Sequence, residues 1–234
     1  MGWLPWVLIA PMRSLAEGIT GSRQLLGPYL SKIGLQRRKT GSPDGPNGPE
    51  LGHAVHNACT EDHTAKEAVT DNLTGLKTRR CFREALEGEC RRSARSSRPF
   101  SVIMMALDRF GQVKDRMGRL ESDIVLTAVA TLLNAQSRQP NVLARYGEDV
   151  FAILTPETNA PQAAILAERL RAAVEADDLL RGREVTASIG IATFPHSGRA
   201  PEEILRVADS GVYLAKQCKG NCVKEASPSP NAHK

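Results

Sequence analysis

The chain has 234 residues, of which 41% are apolar and only 4% aromatic, and it carries a formal net charge of +5. That length allows one domain of ordinary size with extra segments, built on an aliphatic core. The charge excess suits small anionic partners such as nucleotides, but it is too small for DNA. No basic stripe interleaved with aromatics is present, so no nucleic-acid partner is expected.

Residues 1–58 read as a flexible N-terminal segment. Its short helical stretch is broken by Gly18, Gly21, Gly27 and Pro28, and the Gly/Pro-rich linker "QRRKTGSPDGPNGPELG" follows. The stretch "GWLPWVLIAPM" is apolar but holds two prolines and is too short to span a bilayer. Gly2 suggests myristoylation, yet Trp6 stands where that motif needs Ser or Thr. A start-proximal oddity or a docking peptide is the preferred reading and membrane contact the lesser one; the cytoplasmic expectation rests on the cysteines, read as reduced thiols. The five cysteines are scattered. Cys218 and Cys222 are four apart with no His nearby, so zinc is not expected and reduced thiols are.

Regular structure is expected within 59–223, with a disordered tail over 224–234. A helix over 76–95 puts Phe82, Leu86 and Cys90 on one face. The continuous apolar run at 99–107 reads as a buried strand. A helix over 121–137 buries Val125, Val129 and Leu132. Two strands, 141–146 and 150–154, form a hairpin with the acidic tip Glu148–Asp149. A helix over 159–176 has Asn159 as cap, Pro161 in its first turn, and Ala163, Leu166, Leu170 and Val174 on its apolar face. A strand over 184–194 and a helix over 200–218 complete the set; two acids in the first turn of that helix suit its dipole.

This order is the split βαβ pattern of an α+β, ferredoxin-like antiparallel sheet flanked by helices. The first crossover returns parallel and leaves a gap that the third strand fills antiparallel. The end of the first strand, Ala106 to Asp108, then lies beside the hairpin tip, Gly147 to Asp149. That is the layout a metal and nucleotide site needs.

Five blocks carry a family resemblance. "DNLTGLKTRR", "ALDRFGQVKDRMGRLESD", "RYGEDVF", "TASIGIA" and "ADSGVYLAKQCKGN" stand in the order and spacing of "D-x-L-T-G-L-x-N-R-R", "D-x-D-x-F-K-x-x-N-D-x-x-G-H-x-x-G-D", "R-Y-G-G-D-E-F", "T-x-S-I-G-x-A" and "A-D-x-A-L-Y-x-A-K-x-x-G-R-N". The chain from Asp71 to Val223 thus resembles the GGDEF family, the diguanylate cyclases, with a nucleotidyl-cyclase-type sheet. The resemblance implies two GTP held across a homodimer, each 3′-hydroxyl attacking the other's α-phosphate, with Mg²⁺ or Mn²⁺ held by acidic side chains.

The departures fall on that chemistry. The family's first metal Asp aligns with Ala106, which has no oxygen to offer. Leu107 retains a backbone carbonyl, and Asp108 and Asp149 keep acidic positions; these three are the metal candidates, Asp149 being also the catalytic one. In the signature hairpin Gly147–Glu148–Asp149–Val150–Phe151, Glu148 replaces a glycine expected to need positive φ, and Val150 replaces a glutamate. A one-residue register shift would recover an acid but turn every side chain to the wrong face.

The phosphate-side Lys aligns with Gly111 and the guanine-reading Asn with Lys114. Asp123, Lys216 and Lys219 remain as substrate-binding candidates. Arg138 is the remnant of the R-x-x-D inhibitory site, whose Asp is Asn141. Each survivor has a plainer reading: Asp108 as a strand-end polar group, Asp149 as a turn former, Asp123 as a helix cap, Lys216 as a dipole partner, Arg138 as a solvated loop residue. The expectation is a degenerate GGDEF domain with impaired catalysis, acting as a regulatory or interaction module with a signalling protein or a second copy. The alternatives are a working or weak diguanylate cyclase and a GTP or cyclic di-GMP receptor without chemistry.

Overall fold

The computed structural model describes residues 69–226. The N-terminal segment with its apolar stretch and linker, Cys59, and the tail from residue 227 lie outside the described residues. In chain order the elements are β1 (Lys77–Thr78), α1 (Arg79–Ser96), β2 (Phe100–Asp108), α2 (Phe110–Gln136), β3 (Val142–Arg145) and β4 (Val150–Pro156). There follow α3 (Ala160–Ala176), α4 (Asp178–Arg181), β5 (Thr186–Phe194), α5 (Pro201–Gln217) and β6 (Val223–Glu225). One mixed six-stranded sheet runs β1-β3-β4-β2-β5-β6. Its four inner strands pair antiparallel, and the short edges β1 and β6 pair parallel. Strand β4 fills the gap between the parallel β2 and β3, as the crossover argument requires.

Alternation along β2 divides the core. Phe100, Val102, Met104 and Ala106 join Phe82 and Leu86 of α1 and Ile204, Ala208 and Val212 of α5. Ile103, Met105 and Leu107 are buried on the other face, which α3 covers with α2 packed beside it. Helix α5 sits close because two glycines meet. A Cβ on Gly190 would lie 2.0 Å from Ala208 O, and one on Gly211 would lie 2.8 Å from Gly190 Cα.

The helix at 121–137 is longer than its pattern suggests. It begins at Phe110 and is interrupted at Gly118 (φ 81°, ψ −175°). The first segment buries only Phe110 and Val113, too little periodicity to read from sequence. On its second segment Val125 and Val129 are buried, but Leu133 rather than Leu132 completes the face. On α3 the buried position is Ala167, with Leu166 half-buried. Asn159 caps α3 in a full capping box with Gln162, an arrangement worth about 1 kcal/mol. The expected tail at 224–234 is corrected at its start: Lys224 and Glu225 pair with β5 in β6, and Ala226 is buried. Among the described residues no helix is long and apolar enough to cross a membrane.

Candidate functional site

Antiparallel pairing sets Ala106 directly opposite Val150. Leu107 N–H donates to Asp149 O at 3.0 Å, which holds the end of β2 against the hairpin tip. Tyr146 and Gly147 both donate to Val150 O, at 2.8 and 2.9 Å. Neither Gly147 nor Glu148 has positive φ, so the turn does not use the left-handed backbone expected at position 148. Glu148 therefore fits without backbone strain. Ala106 is 1% exposed, and the half-buried Val150 and Tyr146 pack on the same apolar cluster. The core thus runs out to the tip. Phe151 is fully buried beneath it.

Arg145 braces the turn from behind. Its Nη2 donates to Glu148 O at 3.1 Å and its Nη1 lies 3.3 Å from Asp71 Oδ2. Asp71 in turn accepts from Thr74 N–H at 2.8 Å and Thr74 Oγ1 at 2.7 Å. The "DNLTG" stretch is thereby tied to the hairpin. Nothing in its spacing marks Arg145 as the partner; the pairing arises because β1 lies beside β3.

Lys114 and Glu148 meet. Lys114 Nζ forms an ion pair with Glu148 Oε1, bridging the first segment of α2 and the tip. The hydrogen bond from Lys114 holds the Glu148 carboxyl below its ordinary value, and Glu148 in turn raises Lys114. Both side chains are mostly exposed, so the pair adds little to the stability of the fold.

Asp108 points its carboxylate at β5 and the loop after α5. It accepts from Thr186 Oγ1 (2.8 Å), Ser188 Oγ (2.7 Å) and Asn221 N–H (2.9 Å). Three donors thus converge on one carboxylate and clasp the end of β2 to β5 and the loop. Leu107 is buried at 1% exposure. Asp149 is half-buried in the turn. Asp123 is not a cap. It lies within α2 past the Gly118 break, 4.0 Å from Arg119 Nε.

Lys216 and Lys219 are exposed and line a cavity of about 610 Å³ with Asp108, Arg109, Arg181 and Asn221. Arg109, absent from the sequence reading, starts α2 with φ 60° and pairs with Glu184 at 3.3 Å. Asn221 was also not singled out. Its side chain joins Glu175 (2.7 Å) and Arg171 (2.8 Å), tying α3 to the loop. Arg138 lies at the opposite end of β3 from the tip. It is exposed and lines cavities of about 410 and 330 Å³, with Asn141 in both. Among the described residues no group of three or more His, Cys, Asp or Glu side chains is placed to hold a metal ion.

An α+β sheet in the order β3-β4-β2-β5, with a strand end and a hairpin tip side by side, defines the class. Residues 68–222 match the family model "Diguanylate cyclase, GGDEF domain", and the chain belongs to the GGDEF family. It is 35% identical over 167 residues to the response regulator PleD of Caulobacter vibrioides, spanning 69% of this chain and 37% of PleD. It is 36% identical over 169 residues to MucR of Pseudomonas aeruginosa, a bifunctional diguanylate cyclase/cyclic di-GMP phosphodiesterase, spanning 70% of this chain and 25% of MucR. The chain therefore spans about a third or less of these curated relatives. Among solved structures, the GGDEF domain of DgcB from Caulobacter crescentus, in complex with cyclic di-GMP, matches with a TM-score of 0.63 at 26% identity. That match covers 67% of this chain and 95% of the other. The GGDEF domain of TpbB from Pseudomonas aeruginosa matches with a TM-score of 0.63 at 29% identity, covering 67% and 99%.

Proposed function

We propose that this chain is a GGDEF domain of cyclic di-GMP signalling that has lost cyclase chemistry and works in the cytoplasm as a regulatory or interaction module. One observation carries the reading: Ala106 and Val150 face each other across β2 and β4 and extend the apolar core to the strand end. Family cyclisation needs anionic oxygens on cations beside the reacting phosphates. Here two of those positions hold hydrocarbon. Asp108 is committed to three donors, which leaves Asp149 as the one uncommitted carboxylate beside the buried Leu107. That donor set does not fit a two-cation Mg²⁺ or Mn²⁺ centre, and no step is routed through one.

The base side is altered in the same sense. Lys114 and Glu148 satisfy each other where a guanine reader and a glycine would stand. Relatives keep the cyclase name, so turnover is the decisive test. The purified chain is incubated with GTP and Mg²⁺ or Mn²⁺, and products are separated by chromatography. No cyclic di-GMP above a no-protein control is expected; clear product overturns the proposal in favour of a working cyclase.

A second reading, a receptor without chemistry, is supported by the exposed pair Lys216 and Lys219 on the 610 Å³ cavity together with the retained Asp123. Calorimetry with GTP and with cyclic di-GMP separates it from a pure protein-docking module. Heats equal to dilution for both ligands dispose of the receptor.

A further inference from the structure

The loop after α5 is organised around one carbonyl. Cys218 N–H and Gly220 N–H each donate to Ala215 O at 3.1 Å, and Cys222 Sγ lies 3.5 Å from the same oxygen. Between the two cysteines the chain reverses through three consecutive left-handed residues: Lys219 (φ 74°), Gly220 (φ 77°) and Asn221 (φ 49°). The backbone N–H of Cys218 and the thiol of Cys222 thus share one acceptor at the end of α5.

Their surroundings differ in a way that assigns roles. Cys218 is exposed, whereas Cys222 is half-buried. Burial pushes the Cys222 thiol up, against the opposing charge of Lys224. An oxidant from solvent therefore meets Cys218 first. Elsewhere, Cys90 is buried and pushed up to about 11, which makes it a poor competitor.

We propose that Cys218 and Cys222 form a reversible disulfide, a redox modification site at the C-terminal end of α5. With a peroxide as oxidant, the Cys218 thiolate attacks one peroxide oxygen. An S–O bond forms, the O–O bond breaks, and the departing hydroxide takes a proton to become water. The Cys222 thiolate then attacks the Cys218 sulfur; an S–S bond forms, the S–O bond breaks, and a second water leaves. Two thiols are oxidised and one peroxide is reduced to two waters. A thiol reductant reverses the bond by exchange.

The cross-link acts on the neighbouring cavity. It takes Cys222 Sγ off Ala215 O and tightens the loop that carries Lys219 and Asn221. Asn221 N–H is one of the three donors on Asp108. Oxidation thus repositions Lys219 and loosens the clasp on the end of β2.

The test uses the whole chain, reduced, then exposed to hydrogen peroxide under native conditions, with residual thiols blocked by N-ethylmaleimide. Trypsin cuts after Lys216, Lys219 and Lys224, which separates the two cysteines into different peptides. The expected product is peptides 217–219 and 220–224 recovered as one species, two hydrogens lighter than their sum, from protein that runs as a monomer on a non-reducing gel. Dithiothreitol should split it. The Cys222→Ser variant, checked for folding by circular dichroism, should lose the linked species and carry Cys218 on to the sulfinic acid. Both peptides recovered separately and maleimide-labelled from the parent chain overturn the proposal. So does a linkage found only in disulfide-joined dimers or only after guanidinium unfolding.

Discussion

Substitution Ala106→Asp restores the acid that the family motif carries and tests how closed the strand end is. Ala106 is 1% exposed, with Val150 opposite it and the apolar cluster beneath. A carboxylate there needs donors. The nearest hydroxyl on the facing strand, Ser188 Oγ, already donates to Asp108 Oδ1 at 2.7 Å. Asp108 itself sits one pleat away on the same face and repels a second negative charge. An unpaired, largely buried carboxylate of this kind costs about 3 kcal/mol.

Its sign with pH is also fixed. Burial raises the folded-state pKa of the new carboxyl above its unfolded value, so the ionised chain is favoured in the unfolded state. The penalty grows as pH rises through the unfolded pKa and fades below it. Urea unfolding followed by circular dichroism at pH 7 and again near pH 4 measures both effects. A loss of about 3 kcal/mol at pH 7 that shrinks near pH 4 is expected, with no cyclic di-GMP formed in either case. A variant as stable as the parent at pH 7 would mean that the strand end is open to water, and the reasoning from a closed apolar end fails.

Asp108→Ala leaves two hydroxyls and one N–H without their acceptor and should cost about 3 kcal/mol in urea unfolding. Gly190→Ala places a methyl against the Ala208 carbonyl and should cost at least about 3 kcal/mol, or prevent soluble expression. Arg145→Ala removes the brace on the hairpin and should cost about 1 kcal/mol, with faster hydrogen exchange at Gly147 and Glu148 read by mass spectrometry. Arg171→Met should lower the urea midpoint at pH 6. The Glu175 carboxyl is held below its usual value by Arg171, so that part of the stabilisation is present above the unfolded pKa and lost as pH falls through the folded one. The gap between variant and parent midpoints should therefore narrow toward pH 3.

The split βαβ order was legible because strands and helices differ in apolar period, and the juxtaposition of strand end and hairpin follows from the parallel return of the crossover and the antiparallel strand that fills its gap. Departures came where the signal is short or long-range. Phe110–Met117 carries only two core residues, Phe110 and Val113, before the break at Gly118, so its helical turns leave little pattern. The edges β1 and β6 have two and three residues, below any readable alternation.

At the site, the loss of oxygens at Ala106 and Val150 could be read from the motif. Three features could not, because each is a partnership across more than thirty residues: the pairing of Lys114 with Glu148, the clasp on Asp108, and the tie of Arg145 to Asp71. The expected need for positive φ at position 148 rested on what glycine permits, and the turn makes no use of that freedom.

Crystals grown with a non-hydrolysable GTP analogue and Mg²⁺ test the central claim most directly, since they look for cations where the oxygens are missing. No ordered cation is expected between the end of β2 and the β3–β4 turn. A pair of well-ordered Mg²⁺ ions at that position, bridged by the analogue's phosphates, would contradict the loss of cyclase chemistry.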